Sequence, residues 1–271
     1  TRTAQGDITF AYFMGHGDTQ HVILFPGSVN ECFEFGWKSF DLAERLQTPV
    51  LVLSDLDFGM NQWKTPKFKY PDAPMDRGKV LWEEDLERLQ GEWARYKDVD
   101  GDGIPYRTLM GNRHPAAAYF ARGTGHTETA RYTEAPDVWE NMLDRIQKKW
   151  ETARTLVPKP HVENFGNETG FICVGSTEPA VLEARYLLEQ ENILTDYMQI
   201  KAIPFTDEVK EFIHAHKRNY IVELNRDGQL HQLLRLEYPA QAMSLISLAH
   251  LDGMPLTARW VVNAFQAVEE K

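Results

Sequence analysis

HVILFPGSVNECFEFGWKSFDLAERLQTPVLVLSD, residues 21–55, contains two short apolar runs separated by an amphipathic segment. The first run stops at a Pro-Gly pair and the second at Ser54 and Asp55, which predicts two buried β-strands. Apolar residues between them recur at helical spacing and predict a crossover helix. The predicted buried stripe of this helix is Phe33, Trp37, Phe40, Ala43 and Leu46. Together these elements predict one parallel βαβ unit, whose carboxyl-end loops form the usual ligand edge of an α/β sheet.

Composition narrows the class of protein. With 271 residues, 42% of them hydrophobic, the chain can form one large or two ordinary domains with substantial cores. The formal net charge of −11 argues against a nucleic-acid partner, because phosphate binding needs a clustered positive surface. No run approaches the roughly 20 apolar residues of a membrane span, so no membrane partner is expected. Cys32 and Cys173 show neither a metal spacing nor a disulfide framework, which favours a reducing cytoplasm.

The order of elements predicts three parts. A short helix is expected at residues 7–13, and prolines and glycines after Asp55 predict a boundary near residue 60. Helical patterns follow at residues 80–96 and 136–156, and strands alternate with helices from residue 170 onward. The strands predicted there are 171–176, 197–203, 219–225 and 244–248. The predicted parts are residues 1–60, 61–160 and 161–271, the last being a compact α/β domain.

The loop DVDGDGI, residues 98–104, places Asp98, Asp100 and Asp102 at alternate positions. This is how calcium loops gather carboxylates around a hard cation. The second half departs from an EF-hand, because Leu109 stands where the bidentate glutamate belongs. Two alternatives remain: a shorter calcium site completed by carbonyls or a distant carboxylate, and a solvated acidic turn.

Two other segments contain candidate polar residues. Arg2, with Thr1 and Thr3, could hold a carboxylate through charge-assisted hydrogen bonds, or it could belong to a frayed polar terminus. His126 and Glu128 could form an acid–base or ligand pair, or His126 could be an ordinary loop residue.

The turn VGSTEPA, residues 174–180, could bind an anion through its backbone N–H groups. A helix N-cap formed by Ser176 and Thr177 is the simpler interpretation. No nucleophile elbow, zinc spacing or phosphate loop occurs in the sequence, so no catalytic residue is assigned.

Several motifs in register resemble the alpha subunit of 2-oxoacid:ferredoxin oxidoreductases, of which this chain looks like the C-terminal portion only. They are TRTAQGD (1–7), the PGSVNEC unit (26–32), GIPYRTLMG (103–111), YFARGTGHTETARYTE (119–134), FICVGST (171–177), ELNRDGQLHQLLR (223–235) and LDGMPLTARWVVNAF (251–265). The resemblance covers essentially the whole chain. It implies that residues 1–60 are the end of a thiamine-diphosphate pyrimidine-type domain and that residues 161–271 form a transketolase C-terminal-like domain, with a linker or insert between them.

The resemblance also implies the reaction and its components. Family enzymes oxidatively decarboxylate a 2-oxoacid to an acyl-CoA and pass electrons to ferredoxin. Thiamine diphosphate with magnesium would be shared with upstream residues and the beta subunit, and an iron–sulfur cluster would lie in that partner. The family's pyrimidine-activating glutamate would precede Thr1, so the isolated chain is expected to be inactive.

The resemblance makes Arg2 the candidate clamp for the substrate carboxylate, with Thr3 beside it, and favours 2-oxoglutarate over pyruvate. Two alternatives remain open. One is a non-catalytic scaffold for subunit assembly, bridged by calcium. The other is a transketolase-like enzyme that does not use ferredoxin.

Overall fold

The predicted βαβ unit forms, and the computed structural model describes residues 2–270 of the chain. Strand β1 (Val22–Leu24) runs parallel to β2 (Val50–Val52), and α2 (Val29–Leu46) connects them. The Ser28 side chain accepts a hydrogen bond from the Glu31 amide, which fixes the start of α2. The prediction that both strands are buried is wrong for β2: it lies at the edge of its sheet, and Val52 is 38% exposed.

The buried stripe predicted for α2 is confirmed at Leu46 but wrong elsewhere. Phe35 and Leu42 are the other buried residues of this helix, whereas Phe40 is 61% exposed. Phe33 stacks on Phe68, with ring centroids 4.6 Å apart. The helix therefore has two apolar faces, one against the sheet and one against the extended segment that follows β2.

The second half of the chain forms the predicted parallel sheet, with one additional antiparallel strand. Its strand order is β3-β5-β4-β7-β8, and only β3 (His161–Glu163) is antiparallel to its neighbour. The parallel strands are β4 (Thr169–Val174), β5 (Asp196–Ile200), β7 (Arg218–Glu223) and β8 (Leu245–Ala249). The helices that alternate with them are α6 (Glu178–Gln190), α7 (Asp207–Ala215), α8 (Gln229–Glu237) and α9 (Ala258–Glu269).

The strand predicted at 197–203 is divided between two sheets. After β5 ends at Ile200, the two-residue strand β6 (Ala202–Ile203) pairs antiparallel with β1 and completes a three-stranded sheet, β2-β1-β6. Lys201 lies at the division: its carbonyl accepts a hydrogen bond from the Phe25 amide (2.8 Å), and its ammonium pairs with Glu31. One apolar cluster consequently contains residues of both sheets.

The middle of the chain has little regular structure before its long helix. The helices between β2 and the long helix are short: α3 (Leu56–Met60) and α4 (Glu83–Arg88). Another short helix, α1 (Ile8–Phe13), lies before β1. The helix predicted at 80–96 stops early, because Gln90 and Gly91 adopt positive φ angles of 52° and 75°. The predicted long helix forms as α5 (Pro136–Leu156), with Trp150 buried. The division into three parts stays a prediction. Within residues 2–270, no helix combines the length and apolarity needed to cross a membrane.

Candidate functional site

Residues 2–8 lie across the carboxyl ends of both sheets. The Thr3 amide donates to the Gly253 carbonyl (3.3 Å), just beyond β8, and the Gln5 amide donates to the Leu224 carbonyl (2.6 Å), just beyond β7. A small cavity of about 50 Å³ lies beside this segment, lined also by residues that follow β1, β2 and β4. The loops after five strands therefore meet at one edge, where α/β sheets usually bind ligands.

Arg2 lies at this edge with its guanidinium exposed. Its Nη1 donates to Met254 Sδ (3.4 Å), and among residues 2–270 no carboxylate forms an ion pair with it. Gly253 makes room for the side chain: it adopts φ +81°, and a Cβ there would lie 2.7 Å from Arg2 Cδ. The guanidinium is thus supported along its stem and available to an anionic ligand. Thr1 lies outside the described residues.

Thr3 is placed differently from Arg2. Its side chain is buried, and its hydroxyl oxygen accepts a hydrogen bond from the Asp57 amide (3.2 Å) at the start of α3. This contact docks the segment onto the loop after β2. Thr3 is therefore placed to fix the backbone next to Arg2.

Asp55 connects the loops after β2 and β4. One carboxylate oxygen accepts from the amides of Asp57 (3.0 Å) and Phe58 (3.4 Å), and the other accepts from the Ser176 hydroxyl. Burial, followed by repulsion from Asp55, raises the pKa of Asp57. Burial likewise raises the pKa of the Cys32 thiol, which makes it a weak nucleophile near neutral pH.

The N-cap predicted at Ser176 and Thr177 is not formed. The Ser176 hydroxyl donates to Asp55, and the Thr177 hydroxyl donates to the Val174 carbonyl (2.7 Å). Helix α6 begins without a side-chain cap. These hydroxyls instead hold the turn after β4 against the turn after β2.

The aspartates of the 98–104 loop do not converge on a common point. Lys79 Nζ contacts both Asp100 Oδ2 (2.6 Å) and Asp102 Oδ1 (2.7 Å), whereas Asp98 pairs with Lys148 (3.3 Å). Burial lowers the pKa of Lys79, but the hydrogen bonds to the two aspartates outweigh it and leave the pKa raised. In the part of the chain that the structure describes, no group of three or more His, Cys, Asp or Glu side chains is placed to hold a metal. Lysines are thus the partners of these aspartates in the structure, and the metal site at Asp98, Asp100 and Asp102 stays a prediction.

His126 is an ordinary loop residue. It is buried, stacks on Tyr96 with ring centroids 3.9 Å apart, and places Nδ1 3.0 Å from the Thr127 carbonyl. Its side chain makes no hydrogen bond to Glu128, so the predicted acid–base pair is not formed. Both cysteines are free thiols.

The sequence interpretation missed the polar side chains that anchor residues 2–8. Gln5 contacts the ends of β4 and β7, and Asn225 contacts Gln5. These partners lie about 170 to 220 positions apart in the chain, so no local pattern reveals the pairing. The one sequence signal for this pairing is that TRTAQGD and ELNRDGQ both contain side-chain amides, which can donate and accept hydrogen bonds.

Comparison with known proteins agrees with these motifs. Residues 1–83 match the family model described as pyruvate flavodoxin/ferredoxin oxidoreductase, thiamine-diphosphate-binding. The chain is 29% identical over 278 residues to subunit alpha of 2-oxoacid:ferredoxin oxidoreductase 2 of Aeropyrum pernix, covering all of this chain and 41% of that protein. It is 24% identical to the 2-oxoglutarate synthase subunit KorA of Methanocaldococcus jannaschii, covering 91% of this chain and 64% of the relative.

A solved structure resembles the whole chain. The 2-oxoglutarate:ferredoxin oxidoreductase of Magnetococcus marinus, with 2-oxoglutarate, coenzyme A and succinyl-CoA bound, superposes with a TM-score of 0.83 at 26% identity. The match covers 98% of this chain and 45% of that chain, which confirms the predicted α/β fold class. The chain is therefore similar over its whole length to the alpha subunits of 2-oxoacid:ferredoxin oxidoreductases, and it spans about two fifths of the length of the curated relatives that it matches first.

Proposed function

We propose that this chain is part of the alpha subunit of a 2-oxoacid:ferredoxin oxidoreductase and that Arg2 holds the substrate carboxylate. The observation that carries the proposal is an exposed guanidinium without a carboxylate partner among residues 2–270, seated on Gly253 at the carboxyl edge of the sheets. A guanidinium binds a carboxylate through two parallel hydrogen bonds, which fix both its position and its plane. Thr3 supports this clamp by docking its backbone onto α3.

The proposed reaction is the oxidative decarboxylation of a 2-oxoacid. Carbon dioxide leaves, the acyl group passes to coenzyme A, and two electrons pass to ferredoxin. We favour 2-oxoglutarate over pyruvate, because a relative of this chain is named 2-oxoglutarate synthase and the similar solved structure contains 2-oxoglutarate.

Residues of this chain do not enclose the cofactor by themselves. The cavity beside residues 4–8 measures about 50 Å³, whereas pockets for ligands of this size are roughly 300 Å³ or larger. We therefore place thiamine diphosphate and its magnesium between this edge and residues of the beta subunit and of the remaining alpha subunit. Cys32 and Cys173 cannot hold an iron–sulfur cluster alone, so that cluster belongs to the partner. The isolated chain is expected to be inactive, and the complete enzyme to work in a reducing cytoplasm.

The test is a dye-reduction assay on the complete complex with its beta subunit, dependent on both a 2-oxoacid and coenzyme A. The Arg2→Gln variant should lower kcat/KM for 2-oxoglutarate about 10- to 100-fold, which is the range for hydrogen bonds to a charged group. The KM for coenzyme A should stay unchanged. Arg226→Gln is the matched control, because Arg226 is also exposed to solvent but already pairs with Asp227 (2.7 Å).

Two results would count against the proposal, and they differ. A wild-type complex that reduces no dye with any 2-oxoacid would contradict the enzymatic function. An active complex in which Arg2→Gln and Arg226→Gln behave alike would leave the function standing and contradict the clamp.

The alternative function is a non-catalytic assembly scaffold bridged by calcium. It has less support, because Lys79 and Lys148 already neutralise the aspartates that calcium would bridge. A transketolase-like enzyme without ferredoxin remains the third alternative, and the electron acceptor in the same assay distinguishes it.

A further inference from the structure

The segment that presents Arg2 is held by the side chain of Gln5. Its Nε2 donates to the Val174 carbonyl at the end of β4 (2.8 Å), and its Oε1 accepts from the Leu224 amide just beyond β7 (3.0 Å). One side chain thus bridges two adjacent strand ends. With the Gln5 backbone amide also bonded to Leu224, this residue has little freedom to move.

Asn225 holds the same segment from the other side. Its Nδ2 donates to the Gln5 carbonyl (3.2 Å) and to Glu223 Oε2 (2.6 Å), while its Oδ1 accepts from the amides of Gly228 (2.8 Å) and Gln229 (3.2 Å). Every polar atom of the side chain has a partner. The amide can therefore adopt only one orientation.

Glu223 sets that orientation. Its carboxylate is fully buried and accepts hydrogen bonds from the Leu230 amide (2.7 Å) and the His231 amide (3.1 Å) in the first turn of α8. An ionised carboxylate only accepts hydrogen bonds, and it is favoured at a helix N-terminus. The nitrogen of Asn225 must therefore face Glu223, and the same nitrogen reaches the Gln5 carbonyl. Burial raises the pKa of Glu223, in opposition to the hydrogen bonds from Asn225 and α8.

We propose that Gln5, Asn225 and Glu223 are positioning residues that fix the backbone of residues 2–6 and thereby aim the guanidinium of Arg2 at the substrate carboxylate. The inference rests on the proposed role of Arg2. Its physical basis is preorganisation: a displacement of about 1 Å in a positioning group can cost on the order of a hundredfold in rate. Among residues 2–270 the Arg2 guanidinium makes one hydrogen bond, to the Met254 thioether, so the backbone and the packing on Gly253 determine where its charge lies.

The sharpest variant is Asn225→Asp, which keeps the shape of the side chain. It replaces a donor by a carboxyl oxygen that faces both Glu223 and the Gln5 carbonyl, so the contact is repulsive at a pH where both carboxyl groups are ionised, and the variant is therefore measured across a pH series. Gln5→Glu makes the corresponding change at the Val174 carbonyl. Asn219→Asp is the matched control: Asn219 is fully buried at the opposite end of the same strand, where its Nδ2 donates to the Ile213 carbonyl (3.1 Å).

The first measurement is amide hydrogen exchange of the peptide covering residues 2–9 in the complete complex, at temperatures chosen to give each variant equal global stability. Asn225→Asp and Gln5→Glu should speed this exchange about tenfold or more, as expected when a local hydrogen-bonded unit opens. Asn219→Asp should leave it unchanged. Unchanged exchange in the first two variants would overturn the positioning role, whether or not the complex is active.

The second measurement is steady-state kinetics of the same variants. Asn225→Asp and Gln5→Glu should raise the KM for the 2-oxoacid about tenfold, with the KM for coenzyme A unaltered, because only the carboxylate contact is misplaced. Faster exchange without a change in this KM would overturn the link to Arg2. An inactive wild-type complex would instead refute the proposed function, while the exchange measurement would still decide whether these residues hold the segment.

Discussion

Asp196 shows how one buried charge can be satisfied. Its carboxylate accepts hydrogen bonds from the amides of Gly166 (3.0 Å) and Asn167 (3.1 Å) and from His216 Nε2 (3.1 Å). The other nitrogen of His216 faces the Phe212 carbonyl (2.6 Å), and both side chains of the pair are fully buried. Burial raises the pKa of Asp196, but the hydrogen bonds from His216 and Asn167 outweigh it and hold the pKa below its ordinary value.

This shift makes stability depend on pH in a definite direction. A carboxyl group whose pKa is depressed in the folded state stabilises the fold above its ordinary pKa of about 4 and loses that contribution as the pH falls through the folded-state value. Asp196→Asn should lower the free energy of unfolding at pH 7 by about 1.5 to 3 kcal/mol, the range for hydrogen bonds to a charged group, because a neutral amide replaces the carboxylate that accepts from Gly166, Asn167 and His216. The difference from the wild type should shrink as the pH drops below about 4.

Urea unfolding at pH 7 and at pH 3 measures this difference. The control is Glu168→Gln, whose carboxylate pairs with Lys217 at the surface with side chains 65% and 72% exposed. Its effect should be small at both pH values, because solvent screens an ion pair between exposed side chains. A difference for Asp196→Asn that is as large at pH 3 as at pH 7 would refute the proposed charge contribution.

Single residues were the least predictable part of the candidate site. Arg2 was identified because a cation among hydroxyls in TRTAQGD suggests carboxylate binding. Glu223 and Asn225 were not, since their function depends on contacts with α8 and with Gln5, which the local sequence does not contain. An acidic residue in an apolar strand is itself a weak signal that a buried partner exists.

At the scale of elements, the 98–104 loop is tied to the end of the extended segment by Lys79. Its ammonium contacts Asp100, Asp102 and the Ile104 carbonyl (3.0 Å), and it lies 5.4 Å from the ring centre of Tyr106. The Lys79 ammonium thus occupies the position among these oxygens that a calcium ion bound to Asp100 and Asp102 would need. The sequence pattern correctly predicted a cluster of acidic oxygens but could not predict that a lysine about twenty positions earlier would satisfy it.

We therefore expect calcium to leave the wild-type protein unaffected. Addition of calcium chloride in the millimolar range, typical of weak sites, should not shift the thermal midpoint. Lys79→Met should lower the free energy of unfolding by about 1.5 to 3 kcal/mol, the range for hydrogen bonds to a charged group, because its aspartates lose their partner. Differential scanning calorimetry with and without chelator measures both effects.

Lys148→Met provides the control for the loop. Lys148 pairs with Asp98 at 3.3 Å and is half exposed, so its loss should cost less than about 1 kcal/mol. A wild-type midpoint that rises with calcium would support the metal-site prediction for Asp98, Asp100 and Asp102.

Helix α2 shows why an element can be predicted while its orientation is not. Periodicity correctly located the helix, because an amphipathic pattern is a local signal. Its buried face could not be chosen, since α2 carries apolar residues on two sides and Phe33 packs on Phe68 of the irregular segment. A pattern identifies apolar faces, but tertiary contacts decide which element covers each of them.

At the scale of the molecule, the α/β alternation predicted most of the larger sheet but not the connection between the sheets. The predicted strand 197–203, YMQIKAI, is largely apolar, and the single lysine within it does not by itself mark the point where the chain changes sheet. This change of sheet depends on pairing between β6 and β1, which lie almost 180 positions apart in the chain. The boundaries predicted near residues 60 and 160 come from local sequence. They do not reveal that residues of both sheets pack into one apolar cluster, because that packing depends on non-local pairing.

The junction between the sheets requires a glycine at residue 27. A Cβ on Gly27 would lie 2.7 Å from Gln199 Cδ, and Gln199 is buried with its Nε2 bonded to Glu178 (3.1 Å). The Gly27 amide in turn donates to Glu31 (2.7 Å), the partner of Lys201. The loop after β1 therefore packs directly against β5, and this close approach connects the two sheets beside the candidate site.

The glycine at this junction is best tested by a double-mutant cycle. Gly27→Ala should lower the free energy of unfolding by about 1 to 3 kcal/mol, because the added methyl group must displace a buried, hydrogen-bonded side chain. In a Gln199→Ala background the same methyl group meets space, so its cost should fall to about 0.5 kcal/mol or less and the two substitutions should be non-additive. Gly36→Ala is the control, since nothing lies within 4 Å of a Cβ at that exposed position of α2. Chemical denaturation of the four variants of the cycle measures the coupling. An additive cycle would mean that the methyl group does not act through Gln199, and that the contact between the loop after β1 and β5 contributes nothing to holding the two sheets together.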